Sequence, residues 1–242
     1  MITLFRKIRQ SSFGENRVSK YMLYAIGEII LVVIGILIAL QVSNWNSENE
    51  LKKLEIKYLE EIRNNLKSDI SDIDFNIAFN QKRLRANKVV LEFVNGELKN
   101  TDSLNFHLAN LIFTTRTLVN SSAYENLKSR GLEIISDDSL RQTITTLYAF
   151  TFHNVIDFET QDDHKFQYES FIPEVSKALK IKTVWKDAEL IDSKQLANNY
   201  QFKNTLLTNM MLREYMQTYY VDLKEQVEKC INSIELELKN LK

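Results

Sequence analysis

The chemistry available to this chain would have to come from few groups, and the first is Glu28. It is the single residue charged at neutral pH in the 22 positions from Tyr21 to Val42, YMLYAIGEIILVVIGILIALQV. An acid within a bilayer costs roughly 2.5–3.5 kcal/mol to insert, so it takes a partner. There it would hold a cation or proton, or accept a hydrogen bond from a neighbouring helix. Gly35 and Ala39 lie seven and then four residues beyond Glu28, within about 20° of one line on a helix at ~100° per residue. Small residues on that line let a second helix approach closely. The plainer reading is a carboxylate near the interface that reaches water.

His153, Asp157 and His164 are spaced by four and seven, so a continuous helix would carry them on one face, with Asp162 and Asp163 nearby. The composition suits a metal, but no fourth ligand or known spacing supports one, and a solvated face is the stronger reading. His107 stands alone as a packed or surface residue. Cys230 reads as a small core hydrophobe, with pairing between chains as the alternative. Asp69, Asp72 and Asp74 lack the Gly and terminal Glu of a calcium loop and read as a wet helix face. The sequence has no Gly-rich phosphate loop, nucleophile elbow or HExxH, and no cofactor is expected.

The element that carries Glu28 is the clearest in the sequence. From Ile29 to Leu40 nothing is polar. A helix over Tyr21–Val42 is about 33 Å long at ~1.5 Å per residue, enough to cross a hydrocarbon core of ~30 Å. A cleaved signal peptide would have a shorter apolar region and a small-x-small exit; the exit here is Leu40-Gln41-Val42-Ser43-Asn44-Trp45. Tyr21, Tyr24 and Trp45 stand where interfacial aromatic anchors belong. Residues 1–20 carry five basic groups and one acid, and 43–62 carry three basic groups and five acids. That bias predicts a cytoplasmic basic stub (1–20), whose Leu4, Phe5 and Ile8 share a helical side, a transmembrane helix (21–43) and an exported domain (44–242).

The formal net charge of -1 excludes a nucleic-acid binder that works through a basic surface. One Cys excludes an intrachain disulfide framework. From Asn44 to Lys242 the only strong breakers are Gly96, Gly131 and Pro173, too few for a sheet-rich domain. A ridge runs through Leu51, Leu54, Tyr58, Ile62, Leu66, Ile70, Ile73, Ile77, Leu84, Leu91, Val94 and Leu98 at about 3.6 residues per turn, an amphipathic helix and not a strict heptad coil. The polar patch Phe79–Lys88 is where a kink or break would fall. A second ridge closes the chain through Leu212, Tyr215, Tyr219, Leu223, Val227, Ile231, Ile234, Leu238 and Leu241. Shorter helices are expected over Ser103–Arg116, over Ser122–Ser129 capped by Gly131, and from Asp137-Asp138-Ser139 onward. Gly96 and the Asn100–Ser103 cluster mark the first turn, and Pro173 and Lys180–Ser193 mark interruptions. A brief extended piece is allowed at Leu132–Ile135 or Lys182–Trp185. The abundant Tyr and Phe at helical spacing read as core. The fold class is all-α: one transmembrane helix continuing into a membrane-anchored antiparallel bundle with long first and last helices.

The stretch FRKIRQ…ENRVSKYMLYAIGEIILVVIGILIALQVSNWN resembles a family of bacterial single-span membrane proteins of unknown function. The later segment SSAYENLKSRGLEIISDDSLRQTITTLY is similar to that family's second block. The resemblance implies a membrane location and makes Tyr124-x-x-Leu127 and Gly131 a structural feature, a helix ending in a turn. It brings no assigned activity. The expected partners are the bilayer and, through the transmembrane helix, a second copy or another membrane protein. The expected location is the bacterial inner membrane with the C-terminal domain in the periplasm. The expected role is a non-enzymatic interaction, scaffold or sensory module. The alternative is an accessory subunit of an ion-coupled, stator-like complex that uses Glu28.

Overall fold

The structure, a computed structural model, describes residues 17–99 and 103–242, with 17–20 described by backbone alone. The basic stub with Leu4, Phe5 and Ile8, and Asn100 to Asp102 of the first turn cluster, lie outside the described residues. By contact the chain divides into two compact units, Met1–Lys53 and Leu54–Lys242. The fold is all-α apart from one small hairpin.

Helix α1 (Arg17–Val94) contributes to both units. In the first unit every side chain from Tyr21 to Glu48 is exposed. Glu28, Gly35 and Ala39 are among them, and nothing comes within 4 Å of a Cβ built on Gly27 or Gly35.

The second unit is built on three long helical runs. The first is α1 from Leu54. The second covers residues 138–178 as α4 (Asp138–Thr146), α5 (Phe152–Asp157), α6 (His164–Phe166) and α7 (Ile172–Ala178), joined by π-helical segments Leu147–Thr151, Phe158–Asp163 and Gln167–Phe171. The third is α9 (Tyr200–Leu241). Lys242 pairs with Glu60, Glu235 with Lys67, Lys224 with Asp74, and Asn209 with Asn87, so α9 runs antiparallel to α1. Phe158 meets Tyr219, Asp163 meets Arg213, and Glu174 meets Gln201, so the 138–178 run is also antiparallel to α9. Between α1 and this run come α2 (Leu104–Ala109), α3 (Ser122–Arg130) and a 3₁₀ turn (Leu132–Ile134). A hairpin of β1 (Leu179–Thr183) and β2 (Asp187–Leu190), then α8 (Ser193–Ala197), lead to α9.

Local chemistry accounts for the boundaries. The Asp137 carboxylate accepts the Leu140 amide at 2.6 Å, and Asn199 caps α9 through the Phe202 amide at 3.0 Å. Gly131 ends α3 at φ 123°, a backbone region that L side chains avoid, and Gly96 turns the chain after α1 at φ 78°.

Several expectations are corrected. No break falls in Phe79–Lys88; α1 runs through it to Val94. The buried face is also not the 3.6 ridge. It follows Leu59, Ile62, Leu66, Asp69, Ile73, Asn76, Asn80, Arg83, Asn87, Val90 and Val94, ten steps across 35 residues, 3.5 on average. Likewise α9 buries Phe202, Leu206, Asn209, Arg213, Met216 and Tyr220, while Tyr215 is 52% exposed. An apolar-only ridge skips buried polar positions and slides onto flanking residues. Phe75, Phe150, Tyr168 and Tyr200 are exposed as well, so the aromatics are not all core. Only Leu104–Ala109 of the expected Ser103–Arg116 helix forms, Leu132–Ile134 is a 3₁₀ turn, and the extended piece is the 179–190 hairpin. Pro173 does not interrupt: it sits in the first turn of α7, just after a π segment.

Candidate functional site: a buried polar belt and the strap it holds

All three long runs change character at one level. One hydrophobic cluster gathers Tyr58 to Ile73, Ala123 to Phe158 and Met216 to Leu238. A second gathers Ala86 to Ile112 and Phe171 to Leu206. Between them the inward positions are polar: Asn76, Asn80 and Arg83 from α1, Glu159, Asp163 and Gln167 from the 138–178 run, and Asn209 and Arg213 from α9.

The π segments explain how the second run delivers its share. Val155, Glu159, Asp163, Gln167, Phe171 and Val175 are all buried at a constant spacing of four. In a pure α-helix that spacing drifts ~40° per step, about 200° over five steps. The i→i+5 segments at Phe158–Asp163 and Gln167–Phe171 unwind the helix and keep all six inward.

Within the belt, Arg213 is ion-paired with Asp163, both nearly inaccessible. Gln167 donates to Asp163 (3.2 Å) and to the Asn209 carbonyl oxygen (2.6 Å), and Asn209 donates to Asn87 (3.0 Å). Asn80 donates to the Arg213 carbonyl (2.7 Å) and to Gln217 (2.9 Å), tying α1 to α9. Burial lowers the Arg83 guanidinium to about 9, with Arg213 adding like-charge repulsion, and lowers Arg213 to about 10.

The rest of the belt serves a segment with no regular structure, residues 113–121. Among the described residues, 113–120 make no backbone–backbone hydrogen bond, yet buried backbone groups need partners. Side chains provide them. Arg83 donates to the carbonyls of Ile112 (2.5 Å) and Phe113, with its guanidinium 4.1 Å from the Phe79 ring centre. Asn76 donates to the Arg116 carbonyl (3.3 Å) and accepts from the Thr115 hydroxyl. Glu159 accepts the Thr117 amide at 2.9 Å, the Thr117 hydroxyl at 2.8 Å and the Tyr220 hydroxyl at 2.7 Å. Asp72 accepts the Leu118 amide (2.9 Å), and Asp69 accepts the Asn120 amide (3.1 Å). This strap enters through Phe113, a non-glycine residue at φ 110°. Such strain persists only where the surroundings impose it.

The carboxylates that hold the strap accept from its N–H and O–H donors. Burial raises Asp69 to about 6 against the Asn120 bond, and raises Glu159 despite its three donors. Burial with the neighbouring Glu159 carboxylate pushes the Tyr220 phenol well up. The belt is under-satisfied: Asp69 Oδ2, Asn80 Oδ1, and Nε of Arg83 and Arg213 are buried without a hydrogen-bond partner. Each such atom costs about 1–3 kcal/mol.

The residues singled out by sequence fall elsewhere. His153 Nε2 meets Asp157 Oδ2 at 3.1 Å on an exposed surface, while His164 lies 4.3 Å from the Tyr168 ring, centre to centre. The Phe158–Asp163 π segment lies between Asp157 and His164, so the run is not the continuous α-helix that the spacing assumed. Among the described residues no group of three His, Cys, Asp or Glu is placed to hold a metal ion. His107 is buried in α2, and burial with nearby Arg85 lowers its pKa. Cys230 is fully buried and its thiol is pushed up to about 12, which removes the reading of pairing between folded chains. The Asp69–Asp74 cluster is not a wet face: Asp69 is buried and Asp72 half-buried, while Asp74 pairs outside with Lys224 at 2.7 Å. Sequence reasoning missed Asp69, Asp72, Asn76, Asn80, Arg83, Glu159, Asp163, Gln167 and Arg213 as a set. Polar residues repeating at the inward spacing were the available sign.

Residues 28–214 match the family of unknown function DUF6090. The chain belongs to this family. The DUF6090 stretch takes in Glu28 and the apolar helix from there on, the strap, and the belt as far as Arg213. No curated protein and no solved structure matches the chain. In this DUF6090 protein one helix near the N-terminus is long and apolar enough to span a membrane, with a mean hydropathy of 2.7 over its best 18 residues.

Proposed function

We propose that this protein is a single-pass anchor carrying a helical bundle, and that it acts in the cell envelope as a non-enzymatic interaction, scaffold or sensory module. The observation that carries the anchor is the exposure of the apolar helix: its most hydrophobic window is 0% buried, where a soluble core helix would be covered. Apolar side chains from Tyr21 to Val42 that are about half exposed or more need lipid or other helices around them. The flanking charge bias favours a cytoplasmic N-terminus and a periplasmic bundle. The non-enzymatic role is favoured by how the belt residues are used: Glu159, Asp163, Arg83 and Arg213 are occupied by strap and helix contacts.

Protease added to intact spheroplasts should remove the C-terminal 200 or so residues and leave a fragment that alkaline carbonate does not extract. Survival of the bundle, or release of the whole protein by salt, would refute the anchor. Crosslinking in native membranes followed by mass spectrometry identifies the partner. The second reading, an ion-coupled accessory subunit, is favoured by Glu28, Gly35 and Ala39 lying uncovered on one helix. It requires that Glu28→Gln abolish function while assembly stays normal.

A further inference from the structure

We propose that residues 113–120 of this strap unseat and reseat while the three long helical runs stay folded, and that ionisation of the carboxylates beneath them favours the unseated state. The proposal concerns the bundle alone and holds whether or not the apolar helix crosses a membrane. Four observations carry it. The strap makes no backbone ladder, so its departure breaks side-chain contacts without breaking a helix or the hairpin. It lies at the level where the hydrophobic clusters give way to polar residues, so its apolar packing is confined to Phe113 and Val119, one at the edge of each cluster, while Leu118 is 69% exposed and Arg116 and Asn120 are exposed. Phe113 at φ 110° stores backbone strain at the entrance, which release relieves. The Asp69 and Glu159 carboxyls are buried, and the strap groups they hold are neutral N–H and O–H donors.

The charges around these groups set the sign. Asp69 faces Asp72 on its own helix, Tyr148 on the 138–178 run and Asn120 on the strap. Glu159 faces Thr117 on the strap, Asp72 on α1, and Tyr220 and Arg213 on α9. Arg213 is engaged by Asp163, and Arg83 by strap carbonyls. Both carboxyls hold their proton more tightly when seated than in water, so protonation favours the seated strap. The ionised forms, better hydrated when open, favour release. For Asp69 the change runs from its ordinary value of 3.8 up to about 6.

The test is hydrogen exchange on the full chain in detergent micelles between pH 4.5 and 7, corrected for intrinsic exchange. The amides of Leu118 and Asn120 should be at least about tenfold less protected than those of Leu66 and Val90 inside α1, because a local opening lies below the global one. Their protection should fall as pH rises, and in the Asp69→Asn/Glu159→Gln double variant it should become flat. Strap amides protected as well as Leu66 at every pH would overturn the proposal without needing any variant. Protection that rises with pH, or a pH dependence unchanged in a double variant of normal helicity, would overturn the role of the carboxylates. None of these outcomes bears on membrane insertion, so the strap and the anchor fail separately.

Discussion

At the scale of single residues, the belt is held by charges whose cost is met only while both partners are present. Arg213 and Asp163 are both almost inaccessible. Removing one leaves the other buried and uncompensated. Arg213→Leu should therefore lower the unfolding free energy by about 3–5 kcal/mol, whereas adding Asp163→Leu should recover much of the loss. Chemical denaturation in detergent, followed by helical circular dichroism, checks both values. Asp69 makes a separate prediction about pH. Its folded carboxyl binds a proton more tightly than the unfolded one, so its contribution is complete below its ordinary value of 3.8 and is lost as pH rises through about 6. Wild type should lose stability relative to Asp69→Asn between those values. Equal pH slopes in paired denaturation series would contradict this. These residues were hard to read in the sequence because acids and amides on a helix usually face water. Asp74, only two residues from Asp72, does so.

At the scale of elements, what was legible depended on whether local chemistry or a distant contact decided the outcome. The Asp137 cap, the Gly131 stop and the long runs of α1 and α9 were legible because neighbouring residues fix them. The strap was not. Ser103–Arg116 has a helical pattern, but Asn76 and Arg83, distant in sequence, take up its backbone carbonyls, and Asp72 and Glu159 take up the amides of Leu118 and Thr117 just beyond it. The π segments left one visible trace, the spacing of four from Val155 to Val175, which no ordinary helix keeps facing inward. Gly131→Ala provides a direct test of the local reading. At φ 123° an added methyl strains the backbone and meets the Glu133 carboxylate, so the melting point should drop by the equivalent of about 1–3 kcal/mol. No loss would mean that α3 ends for another reason.

At the scale of the molecule, the two units differ in how their apolar side chains are covered. Those from Tyr21 to Leu51 in the first are exposed, and those of the second gather into two clusters separated by the belt. Leu66 belongs to one cluster and Leu206 to the other, both fully buried. Each Leu→Ala change should cost about 2–5 kcal/mol. Because the clusters share no partners, the double change should equal the combined single losses within about 0.5 kcal/mol. Strong coupling between the two would show that the belt transmits packing between them.

The buried thiol has a practical consequence. Cys230, the chain's single cysteine, lies within α9 and resists deprotonation. Maleimide reagents should therefore bypass it in the native protein, and a cysteine introduced at Leu118 or Tyr200 could carry a fluorophore or spin label without first engineering a background free of thiols.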